Sequence, residues 1–237
     1  MSPQLVHYVP IVTTVLTIPF ALEIIARYRH YPDRLHLLWW SLGVVIYGVG
    51  TLTESLTTLF GWHEPVFRAW YVSGALLGGA PLAQGTVYLL LPRRTAHRLT
   101  MLLLSLVAIA ATAVVLSPID YTRVEPHRLS GRVFEWTWVR GFSPFINLYA
   151  VIFLIGGAIL SAIRYSGVPG MRHRVWANVL IAVGAILPGI GGAATRVGYT
   201  EVLYVTELVG LLLMWSGYRM SVVPTALAVG QKHKAPA

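Results

Sequence analysis

Residues 27–39 read RYRHYPDRLHLLW and residues 164–176 read RYSGVPGMRHRVW. Arg27 and Arg164, Tyr28 and Tyr165, Pro32 and Pro169, His36 and His173, and Trp39 and Trp176 recur at one offset of 137 residues. The offset continues without a gap to Gly61, Trp62 and Glu64 against Gly198, Tyr199 and Glu201, and sets Pro19 opposite Gly156. A general preference of membrane-proximal helix ends for Arg and aromatic residues accounts for the first set. It does not account for an offset that persists to the far end of the following helix. The chain therefore reads as one three-helix unit used twice.

Composition decides what kind of unit this is. The 237 residues are 56% hydrophobic and 11% charged, with a mean hydropathy of +0.65. A water-facing domain carries about a quarter charged residues, so this chain lacks the polar groups to clothe one. Seven apolar segments, at about 8–26, 36–60, 66–91, 97–117, 144–163, 174–196 and 202–218, approach the ~20 residues that a spanning helix needs. Lipid offers no partner for backbone N–H and C=O, which requires the segments to be helices. The first apolar run has no basic residues before it and no small-residue cleavage site, and reads as a retained helix rather than a signal peptide. The expected fold class is thus an all-α integral membrane bundle of seven transmembrane helices, a single domain over 1–237.

Orientation follows from the 18 Lys and Arg residues. Twelve fall in one set of loops: Arg27, Arg29, Arg34, Arg93, Arg94, Arg98, Arg164, Arg172, Arg174, Arg219, Lys232 and Lys234. Six fall in the other: Arg68, Arg123, Arg128, Arg132, Arg140 and Arg196. Positive charge is retained on the cytoplasmic side. The N-terminus is expected outside and the C-terminus inside, in a multi-pass protein of the cell membrane, the inner membrane of a bacterium. The formal charge of +9 then reflects topology and attraction to anionic lipid, not nucleic acid.

Three helices reverse the chain, so a second copy enters upside down unless one more helix intervenes. Repeat 1 is placed at about 8–91, a linker helix at 97–117, an outer loop at 118–143, repeat 2 at about 144–218 and a cytoplasmic tail at 219–237. The two repeats are then parallel, related by an axis along the membrane normal. In this layout the chain resembles the three-plus-one-plus-three SWEET and PQ-loop transporters over its whole length. The Pro-Gln dipeptide that names the latter group does not occur at the corresponding positions, so no residue role is carried over. The stretch LHLLWWSLGVVIYGVGTLTESL at 35–56 is also similar to the seven-helix sensor domains that precede bacterial histidine kinases. The first resemblance implies a small-solute facilitator or proton-coupled transporter that associates into small homo-oligomers. The second implies a ligand-sensing module or an accessory subunit with a membrane partner protein.

Polar groups inside hydrocarbon are costly and so mark function or structural pairs. Glu54 in GTLTESL and Glu207 in YVTELVG fall at one depth in the outer half, and Arg196 lies close to it. A carboxylate there is costly to ionise unless Arg196 pairs with it. Asn147, Arg68, Gln84 and Thr53, with Thr57 and Ser55 beside it, are further candidates to line a ligand pocket. Their hydroxyls and amides serve equally well as partners for their own backbone. Glu23, four residues from Arg27, suits a helix-surface ion pair.

Proline and glycine interrupt the sixth span (ILPGIGGAATRVG) and the third (GALLGGAPLAQG). Such interruptions point to transporter sites, which makes Pro19, Pro81, Pro188 and Gly191 candidate hinges. Close helix packing through small residues is the competing reading. In the long connection 118–143, RVFEWTWVRG alternates as a strand or hairpin does. Trp136 and Trp138 on it are placed either in a lid over the pocket or in the headgroup layer.

Much chemistry is missing. There is no cysteine, no H-E-x-x-H, no Gly-rich phosphate loop and no nucleophile elbow. His36 and His173 are repeat mates, but they sit at helix ends next to Arg, where headgroup contact is the simpler role. No metal, cofactor or catalytic residue is expected, and a lipid-modifying enzyme is the weakest alternative.

Overall fold

The computed structural model describes residues 5–222, and among these every regular element is a helix. A 3-10 turn, Leu5–Tyr8, leads into α1 (Val9–His30), followed by α2 (Leu35–Phe60). The third pass is broken: α3 (Glu64–Trp70) runs into a π turn (Tyr71–Leu77) and restarts as α4 (Ala80–Leu90). A fourth pass, α5 (Arg93–Leu116), precedes a long connection. The fifth pass is α6 (Phe142–Ala150), a π turn (Val151–Ile155) and α7 (Gly156–Ser166). α8 (Arg172–Arg196) and α9 (Thr200–Val222) complete the bundle. Residues of the tail beyond 222, with Lys232 and Lys234, lie outside the described residues.

Seven passes therefore stand where the hydropathy placed seven segments. Five helical stretches, Leu5–His30, Leu35–Phe60, Arg93–Leu116, Thr137–Ser166 and Arg172–Thr195, are long and apolar enough to cross a membrane. The other two passes are the broken third and α9, which carries Glu201, Glu207 and Arg219. Large apolar side chains such as Met101 (71% exposed), Ile109 (60%) and Phe145 (70%) cover the outside of the bundle. A belt of that kind is compatible with a multi-pass membrane protein.

We call upper the end of the bundle that carries residues 61–63, 117–141 and 197–199, and lower the end that carries 31–34, 91–92 and 167–171. At the upper end, α2 and α8 are each followed by a glycine with positive φ, Gly61 as the cap of α2 and Gly198 one residue beyond the cap of α8. Their φ angles, 84° and 105°, fall in a left-handed region open to glycine at little cost. After each glycine come an aromatic residue and a glutamate in the first turn of the next helix, Glu64 and Glu201.

Packing divides the interior by height. Phe20, Ile24, Leu37, Val44, Leu211, Met214 and Tyr218 form one core from α1, α2 and α9, joined by residues of α4 and the fifth pass. Phe67, Tyr71, Val114, Val133, Phe134 and Val139 form another at the upper end. α8 and α9 meet along a seam of small residues. A Cβ on Gly184 would lie 2.7 Å from the Gly210 carbonyl, and one on Gly210 would lie 2.6 Å from that of Gly184. One heptad away, Gly217 faces the Ala177 carbonyl at 2.6 Å and Gly191 faces Leu203 Cα at 2.6 Å. Absent side chains let the two backbones touch.

The connection at 118–141 departs from the strand expected of RVFEWTWVRG. It winds through 3-10 turns at Tyr121–Arg123, Gly131–Val133 and Thr137–Gly141, with isolated bridges only. The Asp120 and Ser130 side chains accept from the backbone N–H of Thr122 and Arg132, which favours turns over a ladder. Two backbone bonds tie the connection's two ends together, Asp120 N–H to Val133 O at 2.8 Å and Glu135 N–H to Pro118 O at 3.1 Å. The apolar members of the alternation, Val133, Phe134 and Val139, are buried against α3 and α5, with the Phe134 ring 5.1 Å from Phe67 and 4.8 Å from Tyr71.

Three local expectations change. Glu23 pairs across helices, with Arg219 Nε at 3.0 Å and Trp215 Nε1 at 2.8 Å, rather than with Arg27 on its own helix. α8 continues through Pro188 without interruption, and α1 through Pro19. The third pass breaks at Gly78 (φ 42°) and Gly79, while Pro81 sits in the first turn of α4, where its missing N–H has no helical partner to lose.

Candidate functional site: a buried carboxyl pair

Glu54 on α2 is 3% exposed. Glu207 on α9 is half-buried as a residue, but its Oε2 is out of contact with solvent. The two carboxyl groups face each other within hydrogen-bonding reach. Trp70 Nε1 on α3 donates to Glu54 Oε1 at 3.0 Å. Tyr47, two turns below Glu54 on α2, donates its hydroxyl to the main-chain oxygen of Glu207 at 2.8 Å. Tyr204, buried one turn above Glu207, closes the upper side.

Local sequence explains how the pair is assembled. Gly50, one turn below Glu54, lies against the π turn of the third pass, where a Cβ on it would be 3.5 Å from Gly74 Cα. That approach brings α3 close enough for Trp70, one turn before Gly74, to reach across to Glu54. The opposite partner comes from α9, held in register by the Tyr47 bond.

Carboxylates only accept hydrogen bonds. Among the described residues Glu54 Oε2 and Glu207 Oε2 are both buried without a donor. A bond between the two groups therefore requires a proton on one of them. The arrangement can hold a proton, release it, or exchange it for another donor.

The other candidates go to different places. Thr53 donates to Gly50 O at 2.6 Å, inside its own helix, and Ser55 and Thr57 do likewise at 2.8 and 2.9 Å. Gln84, fully buried on α4, is saturated: Tyr149 donates to its oxygen, and its nitrogen donates to Thr100 Oγ1 at 2.8 Å and Ala96 O at 3.3 Å. Asn147 on α6 spans the break in the third pass, donating to Ala75 O at 3.1 Å, with its oxygen beside Gly78. Neither amide bonds to the carboxyl pair. The side chain of Arg196 lies outside the described residues. Gly191 belongs to the α8–α9 seam.

Arg68 does not join the pair either. It bonds Glu64 through Nε at 2.8 Å and directs its guanidinium to the carbonyls of Val114 and of Ser117, the latter at 2.9 Å. It thereby caps the C-terminal carbonyls of α5, where a cation is favoured by the helix dipole. Arg128 does the same for α8, bonding Thr195 O at 3.0 Å. The hydrogen bond from Tyr121, with help from Arg68, holds the Glu64 carboxyl below its ordinary range, and the same bond raises the Tyr121 hydroxyl.

Trp136 and Trp138 stack at 5.8 Å, and Trp138 lines an open apolar groove with Leu106, Phe142 and Phe145 on the α5–α6 flank. The part of the connection that crosses the upper ends of α2 and α8 is 125–128, where Arg128 reaches Thr195 and Pro126 O lies 3.6 Å from a Cβ built on Gly61. Among the described residues no group of three His, Asp or Glu is arranged to hold a metal.

Sequence reasoning found both glutamates but missed Trp70, Tyr47 and Tyr204. Tyr47 is seven residues before Glu54 and Tyr204 three before Glu207, both same-face helical spacings that pointed to them. Trp70 is brought in by tertiary packing alone. No family model matches the chain, and no characterised protein or solved structure is detectably similar to it.

Proposed function

We propose that the chain is a multi-pass membrane transporter for a small solute, coupled to protons, in which the Glu54–Glu207 pair carries the proton. The observation behind this reading is the pair itself. Two carboxyl groups from distant helices meet in the interior with two donor-less oxygens, a costly arrangement for structure alone. Support comes from the third pass, whose break at Gly78 and Gly79 and π turn give it the discontinuous form typical of transport sites.

In the same reading the upper end is outside and the lower, Arg-rich end cytoplasmic. The two three-helix units are related by duplication, for which the matching corners at Gly61 and Gly198 speak. The pair then lies in the outer half, and opening separates α2 from α9.

The test is reconstitution into liposomes containing a pH-sensitive dye. Panels of sugars, amino acids and amines are added outside, with and without a pH gradient. Solute-dependent proton movement is expected with the native chain and is lost in Glu54→Gln and Glu207→Gln variants that melt normally. If no panel member moves protons, the protein is instead a sensor or an accessory subunit, and recovery of a stoichiometric membrane partner identifies it as such.

A further inference from the structure

The unsatisfied atoms of the buried pair say which solutes it suits. Apart from the proton they share, Glu54 Oε2 and Glu207 Oε2 receive no hydrogen bond from any described residue, and the Tyr47 hydroxyl, whose proton is used on Glu207 O, has lone pairs left over. Trp70 spends its indole N–H on Glu54 Oε1, which leaves its ring as wall. Tyr204, buried one turn above Glu207 on α9, adds a second aromatic side chain on that side. The lining is thus acceptor oxygens and aromatic faces. A sugar, which brings acceptors as well as donors, leaves its acceptors unmatched there. An ammonium group brings donors only, carries positive charge, and gains from the rings as well as from the carboxylates.

We propose that the Glu54–Glu207 pair binds an ammonium-type cation in exchange for the proton between its carboxyl groups, so that the transported solute is a small amine. This rests on the transport reading above for the word transported, and on the geometry alone for the binding. The exchange balances. The shared O–H proton leaves to water as the cation enters, one positive charge replaces another, and no covalent bond of the solute changes. The few oxygens here fall short of the about six or more that a hard metal ion such as Ca²⁺ gathers, whereas an ammonium group is served by a few acceptors and an aromatic face.

Acidic and aromatic residues continue along α9 from the pair to the upper end. Glu201, Tyr204 and Glu207 follow at three-residue spacing, and the half-exposed Glu201 stands at the upper end beside His7, 3.8 Å away. The His7 ring meets that of Tyr204 edge-on at 6.1 Å. Three arginines of the upper end are neutralised by their own acids: Arg68 by Glu64, Arg123 by Asp120 and Arg128 by Glu125.

The experiment uses the purified full chain in lipid nanodiscs, in phosphate buffer. Methylammonium chloride is titrated against sodium and tetramethylammonium chloride at matched ionic strength. A saturable rise in Tm with methylammonium alone is expected, with release of about one proton per site to a pH indicator in weakly buffered solution. Glu54→Gln and Glu207→Gln are expected to weaken binding roughly tenfold or more, and Trp70→Phe, which keeps both carboxyl groups, by several-fold. Glu23→Gln, at the lower end, leaves binding unchanged. An equal response to sodium overturns the proposal, as does unaltered methylammonium binding in both glutamine variants. Binding without flux sinks transport and keeps the site. Coupled flux of a neutral solute without methylammonium binding sinks the amine and keeps transport.

Discussion

The two faces of α9 are opposites. Toward α8 it offers Leu203, Gly210 and Gly217 at heptad spacing, and the partner helix answers with Gly191, Gly184 and Ala177. The contact is backbone on backbone, with no room for a methyl group. Toward α2 the same helix offers Glu207, met by the Glu54 carboxyl and the Tyr47 hydroxyl. The first face depends on absent side chains and the second on polar atoms that are incompletely satisfied. A close-packed seam has one arrangement, whereas a face held by one or two hydrogen bonds and a proton has more than one. In the proposed transport cycle, α8 and α9 move as a unit and the carboxyl pair is exposed by separation of α2 from α9.

This contrast breaks most readily at the seam. Gly210→Leu, or Gly184→Leu, puts a side chain into a backbone carbonyl that cannot step aside. The expected outcome is failure to fold, or a loss exceeding about 3 kcal/mol, read by SDS or thermal denaturation. An equally stable Leu variant would show that α8 and α9 are not in backbone contact. On the other face, Glu54→Gln and Glu207→Gln change polarity without changing volume. They are expected to leave the melting temperature within a few degrees while abolishing solute-coupled proton flux.

Asn147 tests the break in the third pass. Asn147→Leu strips Ala75 O of its partner and is expected to cost about 1–3 kcal/mol. Hydrogen exchange should then rise at 75–79 and not along the α8–α9 seam. The upper-end cap responds to acid. Glu64 is held below its ordinary range in the folded state, so its contribution is complete above that range and is lost as pH falls through the lowered value. Acid melting should begin in the 118–141 connection, and Tyr121→Phe should shift that onset to higher pH. The smallest effect belongs to Glu23 and Arg219, a largely exposed pair joining α1 to α9 at the lower end. Arg219→Gln is expected to cost no more than about 1 kcal/mol.

Much of the scaffold was legible in the sequence because membrane-like hydropathy leaves few alternatives. Seven apolar segments became seven helical passes. Glu54 and Glu207 were legible because carboxylates are rare in such segments. The strand in RVFEWTWVRG was misread because alternation does not distinguish a pleat from 3-10 turns pinned by Asp120 and Ser130. Asn147, Gln84 and Thr53 looked like pocket polar groups for a simple reason. Sequence shows that a polar atom is present, not which neighbour satisfies it. Glu23 was given the wrong cation because Arg27 was four residues away and Arg219 was unseen.

The sequence by itself determined the helical class, the number of passes, the excess of arginine on one side and the two acids placed at one depth. These follow from composition and spacing, which act locally through hydrogen bonding and transfer free energy. Only the tertiary structure decided that the acids touch, that Trp70 donates to one of them, and that Gly191 is packing while Gly78 is the break. Those facts depend on which helices approach to backbone contact, and that is set by small residues meeting across helix faces, as Gly184 meets Gly210 and Gly50 meets Gly74.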